Sequence, residues 1–436
     1  MTLKEHFRKN IVLAYPVVIG QLGHIMVSVA DTVMVGRVGV IPLAAATFAG
    51  TIYHLLMMFG VGVSYAVTPL VASTKSSDQS RLMSLLQNGL ALNTMLSILL
   101  TIIALIASQF LMYFGQEVPV AIAAEPYLVI VSSSLIPLMI FQTYRQFSEG
   151  KSDTFNPMVV SIVANLLNVG LNYLLIYGAL GFPELGLNGA AYATLISRVV
   201  MAILMLWMVR AHLKGFRFHF DWSQVKRMIK IGFPSGLQYV FEIGSFAMAA
   251  IMVGWISAEA LAAHQIALNL AAITYMCATG IAAASTIRVG NQMGLKDLRN
   301  LRIAGYTSFA TVAIFMSCTA LCFILFRGPL TALYVKDIGV QQMAAGLLII
   351  AAAFQVSDGL QAVGLGVLRG LTDVKVPTLI TFIAYWVLAI PGGYVLGFVF
   401  DLGVSGVWYA LSGGLTIAAV LHIIRFKNLS KKLRFN

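Results

Sequence analysis

The stretch MIKIGFPSGLQYVFEIGSFAMAAIMVG, residues Met228–Gly254, is strongly apolar and carries a single acid, Glu242, near its middle. A membrane-spanning helix needs about 20 predominantly apolar residues, and this stretch is longer than that. It also repeats the beginning of the chain, because Pro234 aligns with Pro16 and the closing Met-Val-Gly recurs at residues Met34–Gly36. The sequence therefore indicates one membrane unit used twice.

The composition of the whole chain agrees with this interpretation. Of its 436 residues, 59% are hydrophobic and only 10% are charged, whereas about a quarter of the residues in soluble domains are charged. We predict an all-α polytopic membrane protein with twelve transmembrane helices. The predicted spans are residues 11–35, 43–73, 84–114, 120–144, 158–181, 186–209, 228–255, 259–287, 302–326, 341–367, 377–400 and 404–425.

Further motifs extend the repeat to the middle and end of each half. The motif G-x-[S/T]-D-x-x-x-P occurs at Gly150–Pro157 and at Gly370–Pro377, and a second shared motif begins at Glu184 and at Asp401. Because six spans separate the copies, both copies run in the same direction across the membrane. We predict two pseudo-symmetric six-helix bundles, residues 1–209 and 228–436, with a site where they face each other.

The positions of the basic residues along the chain indicate the membrane topology. All 28 Lys and Arg lie at the termini or in even-numbered turns, except Arg37, Arg327, Lys336 and Arg198. By the positive-inside rule, this pattern places both termini in the cytoplasm of a cell inner membrane protein. The excess over the 16 acids is thus a topology signal, and we expect no nucleic-acid partner.

Residues 210–227 join the two halves. Aromatic residues alternate there with Lys, Arg and His, which is typical of a segment lying among lipid headgroups. We predict a cytoplasmic amphipathic linker. An ordinary polar linker is the alternative, and either one tethers the two bundles.

Three acids, Asp31, Glu242 and Asp358, fall inside predicted spans. A charge at membrane depth costs about 3 kcal/mol, so it is tolerated only in the bundle interior with a partner or a bound ion. The spans offer one fixed cation, Arg198. At least two of the acids must therefore be protonated, hydrated or holding a cation, as coupling to a proton or sodium gradient requires. The alternative is that each acid only forms hydrogen bonds while protonated.

Several polar residues are candidate partners for these acids. Asn165, Asn168 and Asn172 lie on one helical face and can bond Asp31 if the fifth span packs against the first. Two alternatives remain open for the other polar residues. Arg198 pairs with Asp31 or snorkels toward the cytoplasm. His264 and Gln265 bond Glu242 or tie two helices together.

The acids belong to longer motifs. These are Asp31-Thr-Val-Met-Val-Gly36, Pro234 with Glu242, and Gln355-x-x-Asp358 followed by Arg369-Gly370-x-x-Asp373. Together they resemble the MATE (multidrug and toxic compound extrusion) family over essentially the whole chain, in its NorM-like branch. The resemblance implies a V-shaped, monomeric antiporter without a cofactor, which exports amphipathic or cationic compounds in exchange for Na⁺ or H⁺.

The resemblance also implies roles for individual residues. Glu242 and Asp358 would be the cation-coupling pair and the ligands of Na⁺, and Asp31 would act in protonation or drug release with Asn168 and Asn172 near it. Two positions depart from the family pattern. Phe354 stands where NorM-like sequences can have a Tyr near the cation site, and Asn172 stands where another branch has an Asp.

Other functions remain as alternatives. A flippase for lipids or lipid-linked oligosaccharides belongs to the same superfamily, but such proteins tend to have extra spans or a basic cavity. A membrane-embedded enzyme would need a nucleophile or metal constellation. The sequence has no H-E-x-x-H or G-x-S-x-G motif, and its three Cys lie in apolar surroundings. We expect that the protein is not an enzyme.

Overall fold

A computed structural model describes residues 2–210 and 220–434. Within these residues, 12 helices are long and apolar enough to cross a membrane, which confirms the predicted fold class. Residues 211–219, half of the predicted linker, lie outside the described residues. The helices are α1 (Leu3–Gly36), α2 (Val40–Ala72), α3 (Gln79–Ser108), α4 (Val118–Gly150), α5 (Phe155–Tyr177), α6 (Gly186–Val209), α7 (Trp222–Gly254), α8 (Ala258–Gly294), α9 (Leu298–Ala332), α10 (Ile338–Gly370), α11 (Lys375–Val399) and α12 (Gly403–Lys432).

Several of these helices are interrupted, and α9 is kinked at Phe326. Helix α2 consists of Val40–Ser64 and Val67–Ala72, and α4 consists of Val118–Ser133 and Leu135–Gly150. Helix α11 is π-helical at Ile383–Ala389, just before Pro391. Proline has no N–H for the carbonyl one turn earlier, so the helix widens where that bond is lost. Short 3₁₀ turns follow α3 and α5, at Leu111–Phe114 and Ala179–Gly181.

The packing of the helices repeats as the sequence does. Helix α4 packs against α2, α3 and α6, and α10, six helices later, packs against α8, α9 and α12. Equivalent threonines bond equivalent helices: Thr68 Oγ1 donates to the Gln146 carbonyl at 3.2 Å, and Thr286 Oγ1 donates to the Gly366 carbonyl at 2.8 Å. The repeat is therefore structural, with α4 and α10 as its two central helices.

The repeated G-x-[S/T]-D motif forms the same turn in both copies. Ser152 and Thr372 have positive φ angles of 68° and 59°, in the left-handed region that few residues other than Gly adopt. The amide of the next residue closes each turn. Asp153 N–H donates to the Ser148 carbonyl at 2.9 Å, and Asp373 N–H donates to the Leu368 carbonyl at 3.0 Å. The motif is thus a helix-ending turn after α4 and after α10.

Equivalent aspartates begin α3 and α9. The Asp78 carboxylate accepts a hydrogen bond from the Arg81 amide at 3.1 Å, and the Asp297 carboxylate accepts one from the Asn300 amide at 3.0 Å. Such capping satisfies an N–H group that has no partner within the helix. The bond from the Asn300 amide also holds the pKa of Asp297 below its ordinary value.

The chain divides into two compact units, one comprising Met1–Val18 with Leu237–Asn436 and the other comprising Ile19–Gly236. Helices α1 and α7 each contribute to both units, and each changes unit just after its aligned proline, Pro16 or Pro234. These bounds differ from the predicted division into residues 1–209 and 228–436, which stays a prediction about the repeat. We call the units the C-unit and the N-unit, after the half that supplies most of each.

Polar contacts hold the N-terminal part of α1 in the C-unit and the N-terminal part of α7 in the N-unit. In the C-unit, the Arg288 guanidinium donates to the His6 carbonyl and to Asn10 Oδ1, both at 2.7 Å. In the N-unit, Gln224 Nε2 donates to Ser84 Oγ at 2.7 Å, and the Asp221 amide donates to Asn88 Oδ1 at 2.8 Å. The first turns of α1 and α7 are thus fixed by side chains that belong to the other half of the sequence.

Candidate functional site

Glu242 and Asp358 lie together in the C-unit. Their exposed fractions are 7% and 5%, and they are close enough for their charges to repel each other. Helix α7 positions Glu242, and the central helix α10 positions Asp358. The two ion pairs among the described residues, Arg145 with Glu149 and Arg425 with Asp373, involve neither acid. The site therefore has two buried carboxyls and no ion-paired basic side chain.

Hydroxyl and amide groups surround these carboxyls. Tyr275, from α8, lies beside the Glu242 carboxyl. Tyr385, fully buried on α11, faces both acids and donates to Gln361 Oε1 at 3.1 Å. Asp358 Oδ1 is buried and has no hydrogen-bond partner among the described residues. Such a group of oxygens can hold a proton or a hard cation.

The described residues contain no group of three His, Cys, Asp or Glu that could hold a metal ion. A transition-metal site of the usual nitrogen and sulfur ligands is therefore absent from that part of the chain. A sodium ion bound by Glu242 and Asp358 would take its other ligands from hydroxyl, carbonyl or water oxygens, and its binding there stays a prediction.

A contact with Trp408 decides one of the sequence alternatives. The Trp408 indole N–H donates to His264 Nδ1 at 3.1 Å, so His264 ties α8 to α12 rather than bonding Glu242. The Phe354 ring packs on the same indole, with ring centroids 5.5 Å apart. Gln265 is exposed, and no hydrogen bond of the described residues joins it to Glu242. His264 of α8 and Phe354 of α10 thus both contact Trp408 of α12.

Asp31 occupies a different setting in the N-unit. It is half-buried on α1, and the Asn172 amide donates directly to its carboxyl. The same amide donates to Asn168 Oδ1 at 3.2 Å, and Asn168 donates to Ser197 Oγ at 3.4 Å. The predicted bond between this face of α5 and Asp31 is therefore confirmed for Asn172. Asn168 supports it, and Asn165 is half-buried beside it.

Arg198 points into the N-unit rather than snorkelling. Its guanidinium bonds the Tyr53 hydroxyl and donates to Ser134 Oγ at 2.7 Å, and it lies over the Tyr53 ring at 5.2 Å from the centroid. Arg198 is close enough to Asp31 for their charges to attract, but the two side chains form no ion pair in the described structure. Hydroxyl groups and a ring hold this cation in place.

The sequence did not single out the residues that complete the C-unit site. Tyr275 lies on α8, Gln361 on α10 and Tyr385 on α11. Polar side chains within spans were the available signal, but many Tyr and Trp in spans only pack or mark the membrane interface. Helix packing was needed to separate these three from the rest.

Comparisons with known proteins agree with the fold. The family model described as MatE matches residues 16–174 and 234–395. A protein of Yersinia pseudotuberculosis serotype O:1b (strain IP 31758), named multidrug resistance protein MdtK, is 35% identical over 439 residues, covering 98% of this chain and 96% of its own. A protein with the same name from Yersinia enterocolitica is 36% identical over 98% of this chain and 96% of its own.

Solved structures share the fold at lower sequence identity. A point mutant of the Vibrio cholerae MATE transporter VcmN superposes with a TM-score of 0.90 at 17% identity, covering 99% of this chain and 98% of that one. The eukaryotic MATE transporter AtDTX14 superposes with a TM-score of 0.86 at 19% identity, with the same coverage of both chains.

Proposed function

This chain belongs to the MatE family, and from that premise we propose that it is a multidrug efflux transporter of the membrane. We propose further that it exports amphipathic or cationic organic compounds and takes up Na⁺ or H⁺ in exchange. The relatives named multidrug resistance protein support the first statement, since they align over 98% of this chain. These names do not favour the flippase alternative.

The observation that carries the exchange mechanism is the pair of buried acids, Glu242 and Asp358. Two carboxyls that repel each other in an apolar interior are stabilised when a proton or a cation joins them. An ion drives transport only if it binds the states of the transporter with different affinities. The pair provides such a difference, because any change in the separation or hydration of its two carboxyls changes the affinity for the ion.

The different setting of Asp31, the acid of the N-unit, supports a separate role for it in the transport cycle. The Asn172 amide is a neutral donor, so Asp31 does not need a second ion in order to be satisfied. We propose that Asp31 influences drug binding or proton release, with Asn168 and Asn172 keeping its carboxyl in place. Arg198 raises the positive potential near this acid.

The remaining features of the proposal come from the sequence. The distribution of Lys and Arg supports cytoplasmic termini in a cell inner membrane. The protein would act as a monomer on small molecules, without a cofactor and not as an enzyme.

Dye efflux from proteoliposomes tests the proposal. We expect the purified full-length protein to expel a cationic dye such as ethidium when either a sodium gradient or a pH gradient is imposed, and comparing the two gradients identifies the ion. Glu242→Gln should lower the driven efflux on the order of 100-fold. Glu259→Gln is the matched control, because Glu259 is exposed at the start of α8 and its loss should leave efflux unchanged. Failure of both gradients to drive efflux by the native protein would refute the proposal.

A further inference from the structure

A pocket of about 410 Å³ lies in the N-unit between the first turns of α3 and α7. This volume is within the range of roughly 300–1,000 Å³ that is usual for small-molecule sites. Its polar walls come from Arg81 and Ser84 of α3 and from Arg227 of α7, and its apolar wall comes from Leu70 and Leu85. The pocket is remote in sequence from Asp31 and its partners, and the transport cycle proposed above does not use it.

Within the described residues, neither arginine of the pocket forms an ion pair. Arg81 and Arg227 are both exposed, and they are close enough for their charges to repel each other. Neither guanidinium takes part in the ion pairs of the described residues. Guanidinium groups bind phosphate oxygens through paired, charge-assisted hydrogen bonds. An anion between these two arginines would remove their repulsion and satisfy both.

Other groups around the pocket also suit an anion. Ser84 Oγ accepts bonds from Gln224 at 2.7 Å and from Asn88 at 3.3 Å, which leaves its hydroxyl hydrogen available to a ligand. Ser80 lies in the first turn of α3, where the helix dipole favours negative charge. The one acid of the lining, Asp221, accepts a bond from the Ser223 amide at 2.9 Å at the start of α7, and among the described residues it forms no ion pair with either arginine.

Aromatic residues place the pocket at the level of the lipid headgroups. The Phe220 and Trp222 rings stack at the start of α7, with centroids 6.3 Å apart, and both side chains are exposed. At the end of α6, the Arg210 guanidinium lies over the Trp207 ring at 4.6 Å. Exposed Trp beside basic residues is typical of the membrane–water interface. The pocket thus opens where phosphate groups of lipids are found.

We propose that this pocket binds the phosphate of an anionic phospholipid. Arg81 and Arg227 hold the phosphate oxygens, the Ser84 hydroxyl donates a further bond, and Leu70 and Leu85 lie against the glycerol and the first methylenes of the lipid. A free phosphate ion would use only the polar wall. By the positive-inside pattern, this end of the N-unit faces the cytoplasm, where anionic lipids attract basic side chains.

Lipid titrations of the full-length protein in detergent test this proposal. Binding of phosphatidylglycerol is measured by native mass spectrometry and by the rise in the thermal unfolding midpoint, since a ligand of the folded state raises that midpoint. We expect the affinity for phosphatidylglycerol to fall about tenfold or more in the Arg81→Gln/Arg227→Gln double variant. The matched control is Lys226→Gln/Lys230→Gln, which removes two exposed cations of the same region that do not line the pocket.

Each outcome of this experiment decides one point. Equal loss of affinity in both double variants would overturn the proposal, since any basic surface would then suffice. An equal response of the native protein to inorganic phosphate at matched concentration would overturn the assignment to a lipid. Should the double variant not fold, Ser84→Val tests the same pocket without removing a charge, and unchanged affinity in it together with unchanged affinity in Arg81→Gln would also overturn the proposal.

Discussion

The acids of the two units are held in opposite ways. In the C-unit, Glu242 and Asp358 face each other in a buried site, where Asp358 Oδ1 has no partner among the described residues. In the N-unit, Asp31 stands alone and accepts a hydrogen bond from the Asn172 amide. The first arrangement needs an ion or a proton to be satisfied, and the second does not.

This difference shows how one scaffold was used twice for different chemistry. The packing of α4 and α10, their threonine bonds and their closing turns agree between the units. The acids do not, because Glu242 aligns with His24 and Asp31 aligns with Ala249. The repeat accounts for the arrangement of the helices. The acidic side chains, in contrast, stand at positions that have no acid in the other copy. Substitutions in each unit test whether the two sites differ in this way.

The largest effect is expected for the C-unit pair. Asp358→Asn and Glu242→Gln should each lower gradient-driven efflux on the order of 100-fold, the scale of a strong coupling between two ligands. The double variant should be no worse than either single variant, since the carboxyls act as one ion site. Dye efflux at equal protein content measures this. Additive losses in the double variant would show that the acids act independently.

A smaller loss is expected for Asp31→Asn. The new amide oxygen can still accept the bond from Asn172, so the fold should be retained while the ionisable group is removed. We expect efflux to fall about tenfold, with a thermal unfolding midpoint close to that of the native protein. A loss as large as that of Asp358→Asn would contradict the distinction between the two sites, and a large drop in the midpoint would show that Asp31 is mainly structural.

The smallest effect is expected for Gln265→Ala. Gln265 is exposed, and we expect its efflux to stay within about twofold of the native rate and its unfolding midpoint to be unchanged, as for most exposed positions. Gln355→Ala is the matched comparison. Gln355 is buried and accepts a bond from Thr319 Oγ1 at 2.6 Å, so its loss should cost about 1–3 kcal/mol of stability. If Gln265→Ala proves the more harmful of the two, the sequence prediction that Gln265 supports Glu242 gains support.

Much of the candidate site followed from residue type and position along the chain. Acids inside apolar spans are few because burying them is costly, and so Asp31, Glu242 and Asp358 could be selected directly. Asn172 was found by its helical spacing with Asn168. Tyr385 and Trp408 could not be found in this way, since nothing in their local sequence separates them from packing residues. The orientation of Arg198 and the partner of His264 also depended on neighbours from other helices.

The amino-acid sequence was sufficient to predict the helices and the repeat. In a bilayer each backbone polar group must be bonded within its own helix, so a long apolar run can only be a spanning helix, whatever its neighbours are. The tertiary structure alone decided which side chains meet and where the compact units begin. Tyr275 reaches Glu242, and the first turns of α1 and α7 join the other half of the chain, because contacts between helices far apart in sequence depend on how their surfaces pack. Local sequence does not encode that packing in any pattern that can be read one helix at a time.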